Sequence, residues 1–331
     1  MDMRQLGASG VKVTPIIFGA WAVGGWMWGG ADDQQSIDTI RAAIDAGVNT
    51  IDTAAIYGMG HSETLVGKAI AGRPRDQVVI ATKCGMRWDD PKAEGIEPWN
   101  QKTPDGQDVV VRKNSKPASI AWEVEQSLKR LNTDYIDLYQ IHWPDTSTPL
   151  EDSMAAMEKL REAGKIRAIG VSNYNVQQMQ QAGKVVKLAS LQPPYSVLRR
   201  GIEKEILPYC RDHDIGVMVY SPLERGLLTG KVTVDRKFPP GDHRAEHKLF
   251  TVDSRRRILT ALESIRPIAA RHKANFAQII INYTIHVPGI TAALVGARTV
   301  EQAQSNAFAM TFTLSTDERQ VIRGAFDPLV V

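Results

Sequence analysis

The amino-acid sequence predicts a single (β/α)₈ barrel over residues 1–331, and three observations carry that reading. Short β-branched runs alternate with amphipathic stretches at a spacing of roughly 30 residues, the rhythm of strand–helix units. The runs are apolar nearly end to end, as strands covered on both faces must be. Eight can be counted, each followed by a helix, with one extra helix before the eighth. A chain of this length often divides into two domains, but α/β barrels are the standing exception, and no linker or low-complexity tract interrupts the sequence.

Taken in order, MRQLGASGVKV reads as a hairpin around Ala8–Gly10 that would plug the N-terminal end of the barrel. The first strand is expected at Val13–Phe18, running into the loop GAWAVGGWMWGG. A helix is expected from Ser36, with Ile37, Ile40, Ala43 and Ile44 on one face and Gly47 ending it. Strands are predicted at 50–54, 78–83 and 137–142, with helices at 62–71, 117–131 and 150–163. The second half repeats the pattern. Strands at 166–172, 188–196 and 216–223 alternate with helices at 176–183 and 203–213. Two helices, 254–273 and 276–286, precede the last strand at 291–297, and a helix from Thr299 puts further helical structure near the C-terminus. Two connections, 84–116 and 224–253, are longer than usual. Both follow a strand, which assigns them to the catalytic face of a barrel.

A doubly wound dinucleotide-binding sheet would need G-x-G-x-x-G after its first strand. Gly24, Gly25, Gly29 and Gly30 lack that spacing, and no phosphate-binding P-loop or HExxH occurs. A net charge of +3 with scattered Lys and Arg argues against nucleic acid as a partner. No run approaches a membrane span, so the chain is expected in the cytoplasm, with no membrane association and no obligate protein partner. Two cysteines, Cys84 and Cys210, fit a reducing compartment. His243 and His247 stand four apart but have no third ligand, so no metal is predicted.

The informative residues are polar groups ending apolar strands. Strand two ends TIDTAAIYG, strand three VVIATK and strand four DLYQIH, placing Asp52, Tyr57, Lys83 and His142 at one mouth. Any one has an ordinary explanation: a turn carboxylate, a packed tyrosine, a solvated lysine, a core histidine. Together they make chemical sense. A free tyrosine, with a pKa near 10, is a poor acid at neutral pH. A neighbouring ammonium is expected to lower that value, a carboxylate to hold the ammonium, and the imidazole to orient a carbonyl oxygen.

The segments GVNTIDTAAIYGMGHSETLVGKAI, VVIATK, SLKRLNTDYIDLYQIHWPD, GKIRAIGVSN, LQPPYS and VYSPLERGLLTGK resemble the aldo-keto reductase superfamily over nearly the whole chain. They are closest to the bacterial branch of inositol-operon and general-stress reductases, and more distantly to potassium-channel β subunits. The resemblance implies a barrel that binds NADP(H) in extended form and a catalytic tetrad at Asp52, Tyr57, Lys83 and His142. It implies that Ser172, Asn173 and Gln192 meet the carboxamide, that Tyr220 stacks on the nicotinamide, and that Gly19, Trp21 and Asp52 also line the cofactor. It assigns Ser221, Leu223, Gly226 and Lys231 to the pyrophosphate. Gly296, Arg298, Gln302 and Asn306 fall to the adenosine 2′-phosphate, an assignment that suits a helix N-terminus with an arginine. Many relatives carry a Lys-Ser pair and a later Arg where this chain has Ala297-Arg298 and Gln302. Arg244 is expected to close over the cofactor as a second cation.

Six of seven tryptophans fall in loops after strands one, three and four, and Trp21, Trp28, Trp88 and Trp143 are expected to wall a pocket for a small carbonyl substrate. The function expected is NADPH-dependent reduction of small aldehydes, dicarbonyls or aldoses, and the reverse oxidation. A Schiff-base aldolase would explain Lys83 alone. An NADPH-binding sensor with very slow turnover is the other alternative.

Overall fold

The computed structural model describes residues 3–25, 30–89, 94–103, 105–238, 242 and 244–331; Trp28 and His243 lie outside them. Eight parallel strands close into a barrel: β1 (Ile16–Gly19), β2 (Thr50–Asp52), β3 (Val79–Cys84), β4 (Ile136–Ile141), β5 (Ile166–Ser172), β6 (Ser190–Gln192), β7 (Gly216–Val219) and β8 (Ala292–Val295). They follow one another round the ring in chain order, β8 pairing with β1 and β4 with β5. Among the described residues no helix is long and apolar enough to cross a membrane.

Inward positions recur every second residue along a strand, and eight strands crowd them into a narrow ring. The lower ring is therefore filled by small and medium side chains: Ile17, Ala81, Leu138, Ala168, Met218, Ala292 and Leu294. Two residues further up β3 and β4, the same face carries Lys83 and Gln140. The fold converts an apolar floor into a polar mouth within one strand repeat. Outside the ring, Ile, Leu and Val side chains of the strands meet the apolar stripes of the covering helices.

The N-terminal hairpin, Arg4–Gln5 paired with Lys12–Val13, closes the bottom as expected. Leu6 is fully buried beneath the lower ring. Arg4 Nη1 donates to the carbonyls of Ile285 (2.6 Å) and Thr291 (3.0 Å). Gly7 turns the chain at φ +53°, where a Cβ would stand 2.5 Å from the Asp214 carbonyl oxygen and 2.7 Å from that of Ala189.

Several boundaries differ from expectation. Val13 belongs to the hairpin, and β1 begins at Ile16 because Pro15, without an N–H, interrupts the ladder. The first helix is Asp33–Asp45, capped by Asp32, whose Oδ1 accepts from the Gln35 N–H at 2.7 Å. Its polar, exposed first turn is invisible to apolar periodicity. The expected helix 254–273 divides into Val252–Ser264 and Arg266–Arg271. Pro267 cannot supply the N–H that would bond the Glu263 carbonyl. The strands predicted at 188–196 and 216–223 are shorter, since Pro193, Pro194 and the turn from Ser221 end the ladders. The connection 84–116 is not irregular: it carries an antiparallel sheet of Met86–Arg87, Ile96–Lys102 and Asp108–Lys113.

Gly7→Ala should cost roughly 2–4 kcal/mol, combining left-handed strain with overpacking. Chemical denaturation would read it as a lower midpoint at unchanged slope; an unchanged midpoint would mean the hairpin does not seal the barrel.

Candidate active site

Asp52 ends β2, Lys83 lies one residue before the end of β3, and His142 directly follows β4. Tyr57 returns to the same mouth through the turn after β2, its N–H donating to the Ala54 carbonyl at 3.0 Å. The structure brings all four together. Lys83, with 0% of its side chain exposed, donates from Nζ to Asp52 Oδ1 at 2.6 Å and to the Thr53 carbonyl at 2.8 Å. The Tyr57 hydroxyl lies 3.5 Å from the same nitrogen. The Tyr57 and His142 rings meet edge to face with centroids 5.7 Å apart. Among the described residues the His142 ring makes no hydrogen bond, which leaves its N–H to a substrate oxygen.

Burial drives the Asp52 carboxyl up and the Lys83 ammonium down, and each opposes the other's shift. Burial, then the Lys83 charge, pushes His142 well below its ordinary value, so the imidazole is neutral at physiological pH. For Tyr57 the structure reverses the expected direction. Its phenol is raised well above 10, first by burial and then by the Asp52 charge. Burial outweighs the nearby ammonium, which is itself paired with Asp52 at 2.6 Å. Tyr57 is therefore a protonated donor at neutral pH.

The residues expected to meet a carboxamide form one cluster. Ser172 Oγ donates to the Gln192 carbonyl at 2.8 Å, and Asn173 Nδ2 donates to Ser172 Oγ and the His142 carbonyl, both at 3.0 Å. Tyr220 donates to Asn173 Oδ1 at 2.9 Å, and Gln192 Nε2 donates to Asp52 Oδ2 at 2.7 Å. Asn173 Oδ1 thus accepts from Tyr220, while Gln192 spends its amide donor on Asp52.

The turn after β7 holds Ser221, Glu224, Arg225 and Gly226 at φ values of 59°, 43°, 56° and 91°. No atom lies within 4 Å of where a Gly226 Cβ would be. The Gly226 N–H itself is spent on the Leu223 carbonyl at 3.0 Å, so what this glycine offers is space rather than a donor. Lys231 is exposed nearby in sequence. Beyond β8, Gly296 stands against Gly19, Arg298 Nη2 donates to the Gly30 carbonyl at 2.9 Å, and the Arg298 N–H donates to Gln302 Oε1 at 2.8 Å. Asn306 Nδ2 donates to the Gly296 carbonyl at 3.1 Å. Gln302 and Asn306 therefore brace the helix start, and Arg298 supplies the cation. Arg244 is held in a fork by Asp242, with Nη2 to Oδ2 at 2.7 Å.

Around Tyr57, Trp21 stands with ring centroids 6.3 Å apart. Trp88, Trp99 and Met59 pack with Tyr57 on a cluster of Ala54, Ile56, Met86 and Val111. Trp143 is 37% exposed at the rim, under Lys113 Nζ at 5.4 Å.

Sequence reasoning missed what supports this site. Glu63, buried behind β3, accepts from Thr82 at 2.6 Å and Arg130 at 2.7 Å. Two more carboxylates pin the ends of the inserted sheet. Glu123 Oε2 accepts from the Gly85 N–H at 3.0 Å where the insert begins, and Asp145 Oδ2 accepts from the Ser115 N–H at 2.8 Å where it ends. A Glu amid the apolar stripe of helix Pro117–Leu131 was the available signal.

A family model described as "Aldo/keto reductase family" matches residues 15–326. The aldo-keto reductase YhdN of Bacillus subtilis (strain 168) is 39% identical over 97% of this chain and 92% of its own length. The NADH-specific methylglyoxal reductase of Escherichia coli (strain K12) is 38% identical over 98% of each. Among solved structures, the glycerol dehydrogenase AKR11B4 from Gluconobacter oxydans superposes with a TM-score of 0.87 at 36% identity, covering 99% of this chain and 96% of that one.

Burial pushes the Glu123 carboxyl from 4.5 up to about 7. The folded protein binds this proton more tightly than the unfolded chain. The stability it contributes is complete below the ordinary value and is lost as pH rises through the folded one. Glu123→Gln should remove that slope between pH 4.5 and about pH 7, making the variant relatively more stable at the alkaline end by roughly 3 kcal/mol. Parallel unfolding curves for the two proteins across this range would contradict the assignment.

Proposed function

The chain belongs to the aldo/keto reductase family, and from that premise we propose that it reduces small aldehydes, dicarbonyls or aldoses to alcohols with NADPH, Tyr57 supplying the proton. The observation that carries this reading is the buried Lys83–Asp52 pair with the Tyr57 hydroxyl 3.5 Å from the ammonium. When bound, NADPH would supply the hydride. Tyr57, protonated across the neutral range, gives its proton to the oxygen as charge develops there. Lys83, 3.5 Å away, then faces the phenolate left behind and offsets part of the cost of forming it in a buried site. Neutral His142 donates a hydrogen bond that fixes the carbonyl oxygen.

Ser172, Asn173 and Gln192, the face of Tyr220, the turn at 221–226, Lys231 and Arg298 would hold the cofactor. Trp21, Trp88, Trp99 and Trp143 would wall the substrate pocket. A three-carbon substrate fits the relatives named for methylglyoxal and glycerol.

Tyr57→Phe should keep the Kd for NADPH within about twofold while kcat falls by roughly 10² or more; substantial residual turnover would remove Tyr57 from the mechanism. NADH use is the second reading, favoured by Gln302 standing where many relatives have a cation and by the NADH-specific relative. With a 2′-phosphate on Arg298, Arg298→Ala should weaken NADPH about tenfold and leave NADH unchanged. Equal steady-state efficiency of the wild type with both cofactors would favour the second reading.

A further inference from the structure

Gln140 is the one amide on β4, two residues before His142 and fully buried inside the barrel. In the strand register it lies between Lys83 of β3 and Gly170 of β5. Its Nε2 donates to Asp52 Oδ2 at 3.4 Å, on the oxygen that Gln192 also reaches and that Lys83 does not. The cost of this placement is visible: among the described residues Gln140 Oε1 is buried without a hydrogen-bond partner. Turning the amide over would set two acceptor oxygens against each other, so the orientation is dictated by the carboxylate. A leucine, such as Leu138 one inward position below, would fill the same space and leave no orphaned oxygen. β5 also makes room for it. A Cβ on Gly170 would fall 2.9 Å from Gln140 Cγ and 2.4 Å from Ser190 Oγ.

We propose that Gln140 is a positioning residue of the tetrad, holding Asp52 from below so that the carboxylate stays ionised and turns Oδ1 to Lys83. The inference rests on the reductase reading above, which the Tyr57→Phe experiment tests separately. Facing Gln140 are Asp52 from β2 and Lys83 from β3, with Tyr57 and His142 above and Glu63 behind Lys83. Without the amide donor, a carboxyl already disfavoured as an anion by burial would take up a proton more readily, and Lys83 would lose its counter-charge.

The test uses the holoenzyme with saturating NADPH and methylglyoxal as the probe substrate, comparing Gln140→Leu and Gln140→Glu with wild type. Gln140→Leu should lower kcat about tenfold, as loss of one hydrogen bond to a charged group would, with KM and NADPH affinity within about twofold. Gln140→Glu should approach wild-type kcat at the acid end, where a protonated carboxyl replaces the amide donor. Its kcat should then fall as pH rises and a second carboxylate forms beside Asp52. A Leu variant with wild-type kcat and pH profile would overturn the proposal, as would a Glu variant whose kcat is pH-independent. Should the Leu variant not fold, the Glu profile decides alone.

Discussion

The ion pair between Lys83 and Asp52 lies where water cannot reach it, and the arrangement of the mouth follows from the need to keep it there. Two charges taken out of water are costly unless every remaining donor and acceptor is met. The structure meets them with the Thr53 carbonyl on the lysine side and with Gln192 and Gln140 on the carboxylate side. The charges of the pair also set the other two members. Lys83 helps to keep His142 neutral, and Asp52 helps to keep Tyr57 protonated. Each group is thereby left in the state that reduction of a carbonyl needs, before anything binds.

The barrel makes such an arrangement possible by alternation. Inward positions on β3 and β4 pass from Ala81 and Leu138 to Lys83 and Gln140 in one step of two residues, so a sealed apolar floor lies directly beneath a polar mouth. The floor is closed from below by the hairpin, with Leu6 against the lower ring. Rigidity follows, since side chains anchored on strands have fewer ways to move than side chains on loops.

The loops above follow a different logic. The long connection after β3 folds as its own small sheet and is pinned at both ends by buried carboxylates, Glu123 at Gly85 and Asp145 at Ser115. It stands on the cluster that includes Tyr57, so the inserted sheet and Tyr57 share one packing unit. On the opposite side, Arg298 reaches back to Gly30 and ties the loop after β1 to the loop after β8.

The alternation of apolar runs and amphipathic stretches determined the barrel, its strand order and the convergence of Asp52, Tyr57, Lys83 and His142, because period and spacing are local properties of the chain. Boundaries were less legible where one residue overrode the pattern: Pro15 before β1, Pro267 within a helical stretch, and the polar first turn after Asp32. The inserted sheet escaped notice because its strands are half-exposed and carry little alternation. What only the tertiary structure decided is the electrostatic state of the site. The sequence places an ammonium near a phenol and leads one to expect a more acidic tyrosine. Only the folded arrangement buries the phenol and pairs the ammonium with Asp52, and only there does Gln140, an amide in an apolar strand, come to lie beneath the carboxylate.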